Sequence, residues 1–421
     1  HWILETKAQM PTGVSNAIND VKLYRDRPEF AGENLKFAAV VWAMESGDYY
    51  RPDGKLWDRD TRWTYGLSSR NIRDAARSLA NANAPFYIQV GHGCDPHLRV
   101  ATALAACNDN PNYCLGFVSA EDDGSPETVG YYLKNFIQPL LDGIVAMNRT
   151  ALQPKPQVIL REKAAWWAMV VGRANASAAL FPAGNPYKAI LVPSAEDSNS
   201  RSPDLQAASR VGLWLDGRVD RWASRMTADD FSFNRLWEWE YPMAGHPHLR
   251  YFAAQAAMGA SVFMVVVGEG VPATPSRVGK EGVIPFLHLL GRGVLEPPTV
   301  TQLVSALPVG LRFTQPVAER FEKSANRLHV YDGFLGSELE QGAFTRNACY
   351  WGMSPTPATD LSRTLWGRTV QFGNFIPAAP GGGFVSVLPL PTLTPSRWTH
   401  LWSTDGDAIF NPAGNQRKVW I

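Results

Sequence analysis

The chain has 421 residues, enough for one large barrel domain with an accessory region. Its 40 Lys and Arg residues balance 39 Asp and Glu residues, which leaves a net charge of +1. The sequence has no basic run either, so its composition argues against a nucleic-acid partner. No apolar run approaches the roughly 18 residues of a membrane span, and we expect no membrane partner.

Short apolar runs alternate with helical patterns along roughly the first 270 residues. The runs predict strands at 1–5, 35–44, 85–91, 114–119, 156–162, 187–194, 221–227 and 261–268. The helical patterns predict helices at 69–82, 97–106, 126–148, 203–215 and 247–258, the last ending at Gly259. Beyond about residue 300 Pro becomes frequent and the runs shorten, which predicts a different, β-rich region.

Continuous apolar strands of this kind are buried on both faces, which indicates parallel pairing with helices outside. Eight strand–helix repeats over this length match a (β/α)8 TIM barrel. A dinucleotide-binding sheet is disfavoured because no G-x-G-x-x-G follows the first strand. The predicted fold class is therefore α/β, with a (β/α)8 TIM barrel at 1–310 and a β-rich accessory region at 311–421 packed on it.

Two of the four cysteines, Cys107 and Cys114, flank the turn-rich segment NDNPNY. Their closeness in sequence allows a disulfide, which would fit an oxidising compartment. The chain starts at His1 directly before a strand-like run, as a trimmed mature segment would. We therefore expect a secreted or periplasmic protein.

The sequence is rich in aromatic residues, with 15 Trp and 13 Tyr. Core packing accounts for most of them, yet several Trp residues lie in polar contexts, among them Trp57, Trp63, Trp237 and Trp239. Flat aromatic faces beside hydrogen-bonding groups suit ligands with an apolar face and polar edges, of which sugars are the commonest. The candidates for sugar stacking, each equally compatible with the core, are Trp42, Trp166, Trp167, Trp222 and Trp237.

Acidic residues follow the predicted strands, at the positions where a TIM barrel carries its chemistry. Asp in such positions also caps helices, but Glu caps poorly, so the Glu residues are the better chemical candidates. The acids expected at one mouth of the barrel include Glu5, Glu45, Glu121, Glu162, Glu196, Asp229, Asp230 and Glu269. We assign to substrate binding Glu5, Glu45, His92, Glu162 and Glu196, together with Trp42, Trp166, Trp222 and Trp237.

The stretch GFVSAEDDG runs from a buried strand straight into Glu121, Asp122 and Asp123. A glycosidase needs one carboxyl group that is protonated and another that is ionised. Repulsion among neighbouring acids raises some of their pKa values, so we expect this crowding to help hold Glu121 protonated. The pattern favours Glu121 as a general acid.

Two other kinds of chemistry are disfavoured. A catalytic metal could draw on His92, Asp95 and His97, or on His246 and His248. The last two open a helix that feeds the eighth strand, which we expect to place them at the opposite end of the barrel. No G-x-S-x-G is present for a Ser nucleophile. We predict no metal and no cofactor.

Four segments resemble the catalytic barrel of glycoside hydrolase family 98, which includes endo-β-galactosidases acting on blood-group glycans and endo-β-1,4-xylanases. HWILE is similar to its first strand, and NPNYCLGFVSAEDDG to the strand that leads into a catalytic Glu. RWASRMTADDFSF lies where the family has an Asp pair. AGHPHLRYFAAQAAMGASVFMVVVGEG resembles the last helix and strand, which end in a Glu. The likeness covers about residues 1–270.

The resemblance implies that Glu121 is the general acid and that Glu269, with Asp229 or Asp230, activates the attacking water. It also implies inversion of the anomeric centre, with the two carboxyl groups roughly 6.5–9.5 Å apart. MTADDF shifts the Asp pair by about a residue relative to the family, which leaves the choice between Asp229 and Asp230 open.

We therefore predict an endo-acting glycoside hydrolase that cleaves a β-linked polysaccharide or oligosaccharide, with a xylan-like plant or algal glycan favoured over a host glycan. The alternatives are an endo-β-galactosidase on complex glycans and a retaining barrel glycosidase that uses Glu269 as nucleophile. A non-catalytic glycan-binding barrel is the alternative from another class. The sequence leaves the oligomeric state open.

Overall fold

A computed structural model of the protein describes residues 2–33, 35–57, 59, 63–122, 125–163, 166–171, 174–196, 210–214, 217–226, 246–266, 277–300, 376–377 and 384–385. The chain divides into two compact units. The first comprises His1–Lys163, Ala178–Ser200 and Val219–Pro297, and the second comprises the remainder. The predicted accessory region lies almost wholly outside the described residues, and the domain boundary near residue 310 stays a prediction.

Among the described residues, nine strands form one sheet. They are β1 (Trp2–Gln9), β2 (Phe37–Trp42), β3 (Phe86–His92), β4 (Asp95–Pro96), β5 (Cys114–Ala120), β6 (Gln157–Glu162), β7 (Leu191–Ala195), β8 (Ala223–Met226) and β9 (Val262–Val266). Eight of them are neighbours in the order β7-β6-β5-β3-β2-β1-β9-β8, and all of these pairs are parallel. The short β4 folds back antiparallel on β3. The prediction of an α/β fold with a parallel sheet is confirmed.

The two end strands of this order approach each other at one isolated parallel bridge, between Glu196 and Arg225. One apolar cluster takes side chains from seven of the strands, including β7 and β8. Its buried members are Ala38, Val40, Tyr87, Val118, Ile159, Val192, Ala223, Val262 and Met264. Since β-strand side chains alternate between faces, these residues identify the face of each strand that is directed toward the common core.

Helices connect the strands along the chain. The described helices are α1 (Val14–Arg25), α2 (Ser69–Asn81), α3 (Val100–Asn108), α4 (Pro126–Tyr132), α5 (Gln138–Ala146), α6 (Trp166–Val171), α7 (Ala174–Leu180), α8 (His246–Ala257) and α9 (Ile284–Gly291). A π-helical turn at Leu133–Ile137 joins α4 to α5, so the predicted helix at 126–148 is a single helical segment with one wide turn. Gly259 has a φ of +99° just after α8, as the predicted helix stop requires.

Several elements differ from their predictions, among them the sixth strand and helix α1. The predicted sixth strand begins four residues late, at Leu191, because the N–H groups of Ile190 and Leu191 donate to the Tyr187 carbonyl and close a turn. Helix α1 has no counterpart among the predicted elements. Its buried residues recur at helical spacing, at Val14, Ala17, Val21 and Tyr24, but polar residues between them weaken the pattern.

The cysteines of the described residues are free thiols, Cys94, Cys107 and Cys114. The disulfide that the sequence allowed between Cys107 and Cys114 is not formed. Cys107 lies in the last turn of α3 and its Sγ is 3.6 Å from the carbonyl oxygen of Cys114. The thiol of Cys107 is therefore directed at backbone at the start of β5, and the structure gives no disulfide evidence for an oxidising compartment.

Candidate active site

Glu121 occupies the first position after β5, where its N–H donates to the Arg161 carbonyl of β6 at 2.8 Å. The backbone enters the left-handed region here, with a φ of +52°. That conformation costs a residue with a side chain roughly 1–2 kcal/mol. The next N–H, of Asp122, donates to Glu162 Oε2 at 2.8 Å and holds the turn. Strained backbone of this kind collects at functional sites, which supports Glu121 as a candidate.

The Glu121 carboxylate lies among cationic groups. Its Oε2 is 2.9 Å from Lys163 Nζ, and its Oε1 is 3.7 Å from His92 Nε2. Burial by itself would raise the pKa of Glu121, but the approach of His92 and the positive charges of Lys163 and Arg161 outweigh it. They hold the pKa of this carboxyl well below its usual range, so Glu121 is ionised.

A shift in register turns His92 toward Glu121. The pairing of β3 with β5 slips by one residue between Gln89 and Gly91, which places His92 opposite Ala120. Such irregularities re-aim side chains at the rim of a sheet. The turn into β4 follows at once, with positive φ at Gly93 and Cys94. His92 therefore lies at the C-terminal edge of the sheet, beside Glu121, and its predicted role in substrate binding stays a prediction.

Asp122, which was expected to repel Glu121, is directed away from it. Asp122 is fully buried, and its two oxygens accept hydrogen bonds from Ser119 Oγ at 2.7 Å and from the Cys94 N–H at 3.1 Å. Burial raises the pKa of Asp122 to about 6, an increase that these hydrogen bonds only partly offset. The expectation that neighbouring acids keep Glu121 protonated is wrong, because Asp122 is turned away from Glu121 and basic side chains hold the pKa of Glu121 low. Asp123 lies outside the described residues.

Glu196, after β7, is buried in a second set of ion pairs. Its Oε1 is 2.8 Å from Arg225 Nη1 on β8 and 3.8 Å from Arg161 Nη1 on β6. Its Oε2 is 3.1 Å from Lys163 Nζ. Lys163 thus bridges two carboxylates that follow different strands, Glu121 and Glu196.

Two Glu residues predicted to bind substrate hold the backbone instead. Glu45 is buried, and its carboxylate accepts hydrogen bonds from the Arg99 N–H and from Thr102 Oγ1, both at 2.8 Å, so that it caps α3. Glu162 ends β6 and alternates with Arg161, so it faces the helix side of the sheet. Its described hydrogen bond is with the Asp122 N–H.

Aromatic rings adjoin the Glu121 cluster. Trp42 ends β2, is partly buried, and meets Trp63 edge to face with ring centroids 4.9 Å apart. Trp63 lies 6.0 Å from the His92 ring and 5.8 Å from the His97 ring. Tyr65 in the same loop donates to Asp95 Oδ2. Trp63 is therefore in ring contact with His92, the neighbour of Glu121, and Trp42 lies one ring further away.

Other predicted residues lie elsewhere. Glu5 is in the middle of β1, in register with Val40 and Val266, because the strand runs on to Gln9. Trp222 immediately precedes β8, at the opposite end of the strand from Arg225, and is fully buried, so it is a core residue. Trp166 lies in the second unit, buried edge to face against Trp167 at 4.9 Å. Outside the described residues are Asp229, Asp230, Trp237 and Glu269.

Within the described ranges, no group of three or more His, Cys, Asp and Glu residues is arranged to hold a metal ion. His246 begins α8, whose far end leads to β9. A helix that crosses between parallel strands starts near the C-terminal edge of the sheet, so the expectation that His246 and His248 lie at the opposite end is wrong. His248 is fully buried, and burial lowers its pKa to about 4.

Residues 50–395 match the family described as the lambda-carrageenase middle domain. The chain belongs to this family. Among curated lambda-carrageenase relatives, the enzyme from Pseudoalteromonas carrageenovora is 23% identical over 386 residues, and the enzyme from Pseudoalteromonas sp is 24% identical over 386 residues. Each match covers 91% of this chain but 38% of the relative, so the chain spans well under half the length of these proteins.

One solved structure is similar to this chain in its fold. It is the catalytic module of a family 98 glycoside hydrolase from Streptococcus pneumoniae TIGR4, in complex with the LewisY pentasaccharide. The match covers 74% of this chain and 54% of the chain in that structure, with a TM-score of 0.50 and 12% sequence identity. At that identity the likeness concerns the fold. The resemblance to family 98 thus holds at the level of architecture, while the sequence family is that of the lambda-carrageenase middle domain.

Lys163, Arg161 and Trp63 belong to the candidate site but are not among the site residues predicted from the sequence. Both cations lie in the segment QVILREK, and a charged residue inside an apolar strand is itself a signal because Arg is rarely fully buried without a partner. Among the described helices, none has the length and apolar character needed to cross a bilayer.

Proposed function

We propose that this chain is the catalytic barrel of an endo-acting glycoside hydrolase that cleaves a β-linked polysaccharide of carrageenan type. The observation that carries the proposal is the ionised Glu121 carboxylate at the C-terminal edge of a parallel sheet, flanked by Lys163 and His92. That edge is where barrel enzymes hold their catalytic groups. The name shared by the curated relatives, lambda-carrageenase, supports both the reaction and the substrate.

The barrel itself is part of the proposal. The bridge between Glu196 and Arg225 and the ion pair between their side chains link the two end strands of the sheet order. The apolar cluster shared by seven strands is what a filled barrel interior would contain. The fold likeness to a family 98 catalytic module is consistent with closure.

The charge on Glu121 suits the ionised role in glycoside cleavage rather than the acid role that the resemblance implied. Glu121 would take the proton from a water that attacks the anomeric carbon, while a second carboxyl group protonates the departing glycosidic oxygen. Glu269, Asp229 and Asp230 are the proposed sources of that acid. We keep inversion of the anomeric centre as the expected outcome. The alternative is direct attack by Glu121, which would retain the configuration. NMR detection of the anomer released first distinguishes the two.

The substrate preference shifts from xylan to carrageenan. Nothing in the family or the relatives supports xylan, whereas both curated relatives are named for lambda-carrageenan. Trp42 and Trp63 are the proposed stacking surface for a sugar next to the cleaved bond. Incubation of the chain with lambda-carrageenan, other carrageenans, xylan and galactose-rich glycans, followed by a reducing-end assay, tests this. Binding of lambda-carrageenan with no new reducing ends would instead favour the glycan-binding barrel.

The role of Glu121 is tested with Glu121→Gln on two substrates. One is the polysaccharide, and the other is an aryl glycoside of the released oligosaccharide, whose phenolate leaves without being protonated. Loss of the ionised group should reduce both rates by on the order of 10²–10⁴. Loss of polysaccharide cleavage alone, with the aryl glycoside still hydrolysed, would return Glu121 to the acid role. Near-normal rates on both substrates would remove it from the mechanism.

A further inference from the structure

Five charged or titratable side chains form an arc along the C-terminal edge of the sheet, each from a different strand or its end. Starting from β8, crossing the isolated bridge to the end of β7 and then following the sheet order to β3, they are Arg225, Glu196, Lys163, Glu121 and His92. The successive contacts measure 2.8, 3.1, 2.9 and 3.7 Å. Basic and acidic side chains alternate along the arc, and Lys163 is at its centre.

The arc lies largely out of water. The side-chain exposure is 7% for Arg225, 1% for Glu196, 16% for Lys163 and 23% for Glu121. A buried charge is costly unless it is paired, so each member depends on its neighbours for its position and its charge. An exposed ion pair of the same kind, such as Lys188 with Asp220, contributes little by comparison.

The two carboxylates that contact Lys163 differ in their surroundings. Glu196 also contacts Arg225 and Arg161, so its position is fixed by two further cations. Glu121 has Lys163 and His92 beside it and Arg161 nearby, while Asp122, the next residue, faces the helix side. Glu196 therefore anchors the ammonium group of Lys163, and the same group contacts Glu121 at 2.9 Å.

We propose that Lys163 is a positioning residue that fixes the orientation and the negative charge of the Glu121 carboxylate, with Glu196 and Arg225 anchoring Lys163 in turn. The inference rests on the proposed function for its link to hydrolysis, but the charge on Glu121 is a property of the folded protein and can be measured without turnover. Lys163 itself takes part in no bond-forming or proton-transfer step in this scheme. It keeps Glu121 ionised, so that Glu121 has no proton to donate to the leaving group.

The test is a direct titration of Glu121 by NMR in protein labelled with ¹³C at the Glu side-chain carboxyl carbon, with Glu121→Gln identifying the signal. In Lys163→Met the titration midpoint should rise by about one to three pH units, because an opposite charge within this distance lowers a carboxyl pKa by that amount. Lys163→Gln should behave in the same way if the Met variant does not fold. Lys163→Arg should stay close to the wild type, and Lys188→Met, at the exposed pair, should change nothing.

Activity provides the second measurement. The acidic limb of kcat/KM against pH should move upward by the same interval in Lys163→Met and Lys163→Gln and return in Lys163→Arg. An unmoved Glu121 midpoint in both neutral variants would overturn the inference, as would a wild-type midpoint at or above the ordinary range for Glu. The Glu121 midpoint could move in the neutral variants while the pH profile of kcat/KM stays in place, or while no glycan is cleaved at all. In either case the proposed catalytic role of Glu121 fails, and the proposed effect of Lys163 on Glu121 stands.

Discussion

Two carboxyl groups follow β5 in consecutive positions, and the sheet separates them. Glu121 faces Lys163 and His92 on the core side, where its pKa is held well below the usual range. Asp122 faces Ser119 and the Cys94 N–H on the helix side, where burial raises its pKa to about 6. Neighbours in sequence with the same functional group thus have pKa values shifted in opposite directions, and below about pH 6 Asp122 is mostly protonated while Glu121 is ionised. The face of the strand, more than the local density of acids, determines what each can do.

The largest expected effect is a difference in activity between variants of Glu121 and Asp122. Glu121→Gln should lower turnover by on the order of 10²–10⁴, because it removes the ionised group proposed to act on water. Asp122→Asn is the matched neighbour, since an amide oxygen can still accept a hydrogen bond and Asp122 is not in the arc. Reducing-end assays on lambda-carrageenan, with thermal unfolding as a check on folding, make the comparison. Equal losses in the two variants would contradict the division between faces.

The next effect concerns stability against pH. The folded-state pKa of Asp122 is raised from 3.8 to about 6, so its contribution is full below 3.8 and is lost as pH rises through 6. The loss amounts to about 3 kcal/mol. Glu121 has the opposite sign: its pKa is lowered from 4.5, so its contribution is present above 4.5 and is lost as pH falls.

Urea unfolding between pH 4 and pH 7 should therefore show the wild type losing stability relative to Asp122→Asn as pH rises. The difference between wild type and Glu121→Gln should instead shrink as the pH is taken below the ordinary range for Glu. Parallel curves for wild type and Asp122→Asn would mean that Asp122 titrates normally and that its side of the sheet is accessible to water.

The smallest expected effect extends the comparison to the aromatic rings. Trp63→Ala should raise KM for the polysaccharide roughly 2- to 10-fold with kcat less affected, since ring contacts are worth about 0.5–1.5 kcal/mol. Trp222→Phe is the control, because Trp222 is buried at the far end of β8. It should lower stability and leave KM unchanged. A raised KM in the Trp222 variant alone would reverse the assignment of core and site.

The sequence located the edge of the sheet that bears the chemistry but not the faces of its side chains. Continuous apolar runs place strand ends well, and the end of β5 was predicted within one residue. The directions of Glu121 and His92 depend on a left-handed turn and on a register slip in β3. The turn has no residue signature, because Glu is uncommon at positive φ. The slip has a weak one, since a glycine inside a strand, here Gly91, often marks a bulge.

The cations escaped prediction for a different reason. Glycoside cleavage calls for acids at strand ends, but it does not indicate which basic side chains determine the ionised acid. Arg161 and Lys163 could have been noted as charges at the end of an apolar strand. Their contacts with Glu196 and Glu121 could not, since those follow from strand order rather than from spacing in the chain. Glu269, Asp229 and Asp230 stay predictions.

The burial of the arc also bears on how the protein responds to dissolved ions. Mobile ions screen exposed charges over about 8–10 Å at moderate salt but reach interior pairs far less. The pairs of Lys163 with Glu121 and Glu196 should therefore keep their strength in brine, whereas surface pairs such as Lys188 with Asp220 should weaken. A carboxylate whose charge is fixed from within the fold gives a pH optimum that does not drift with salinity.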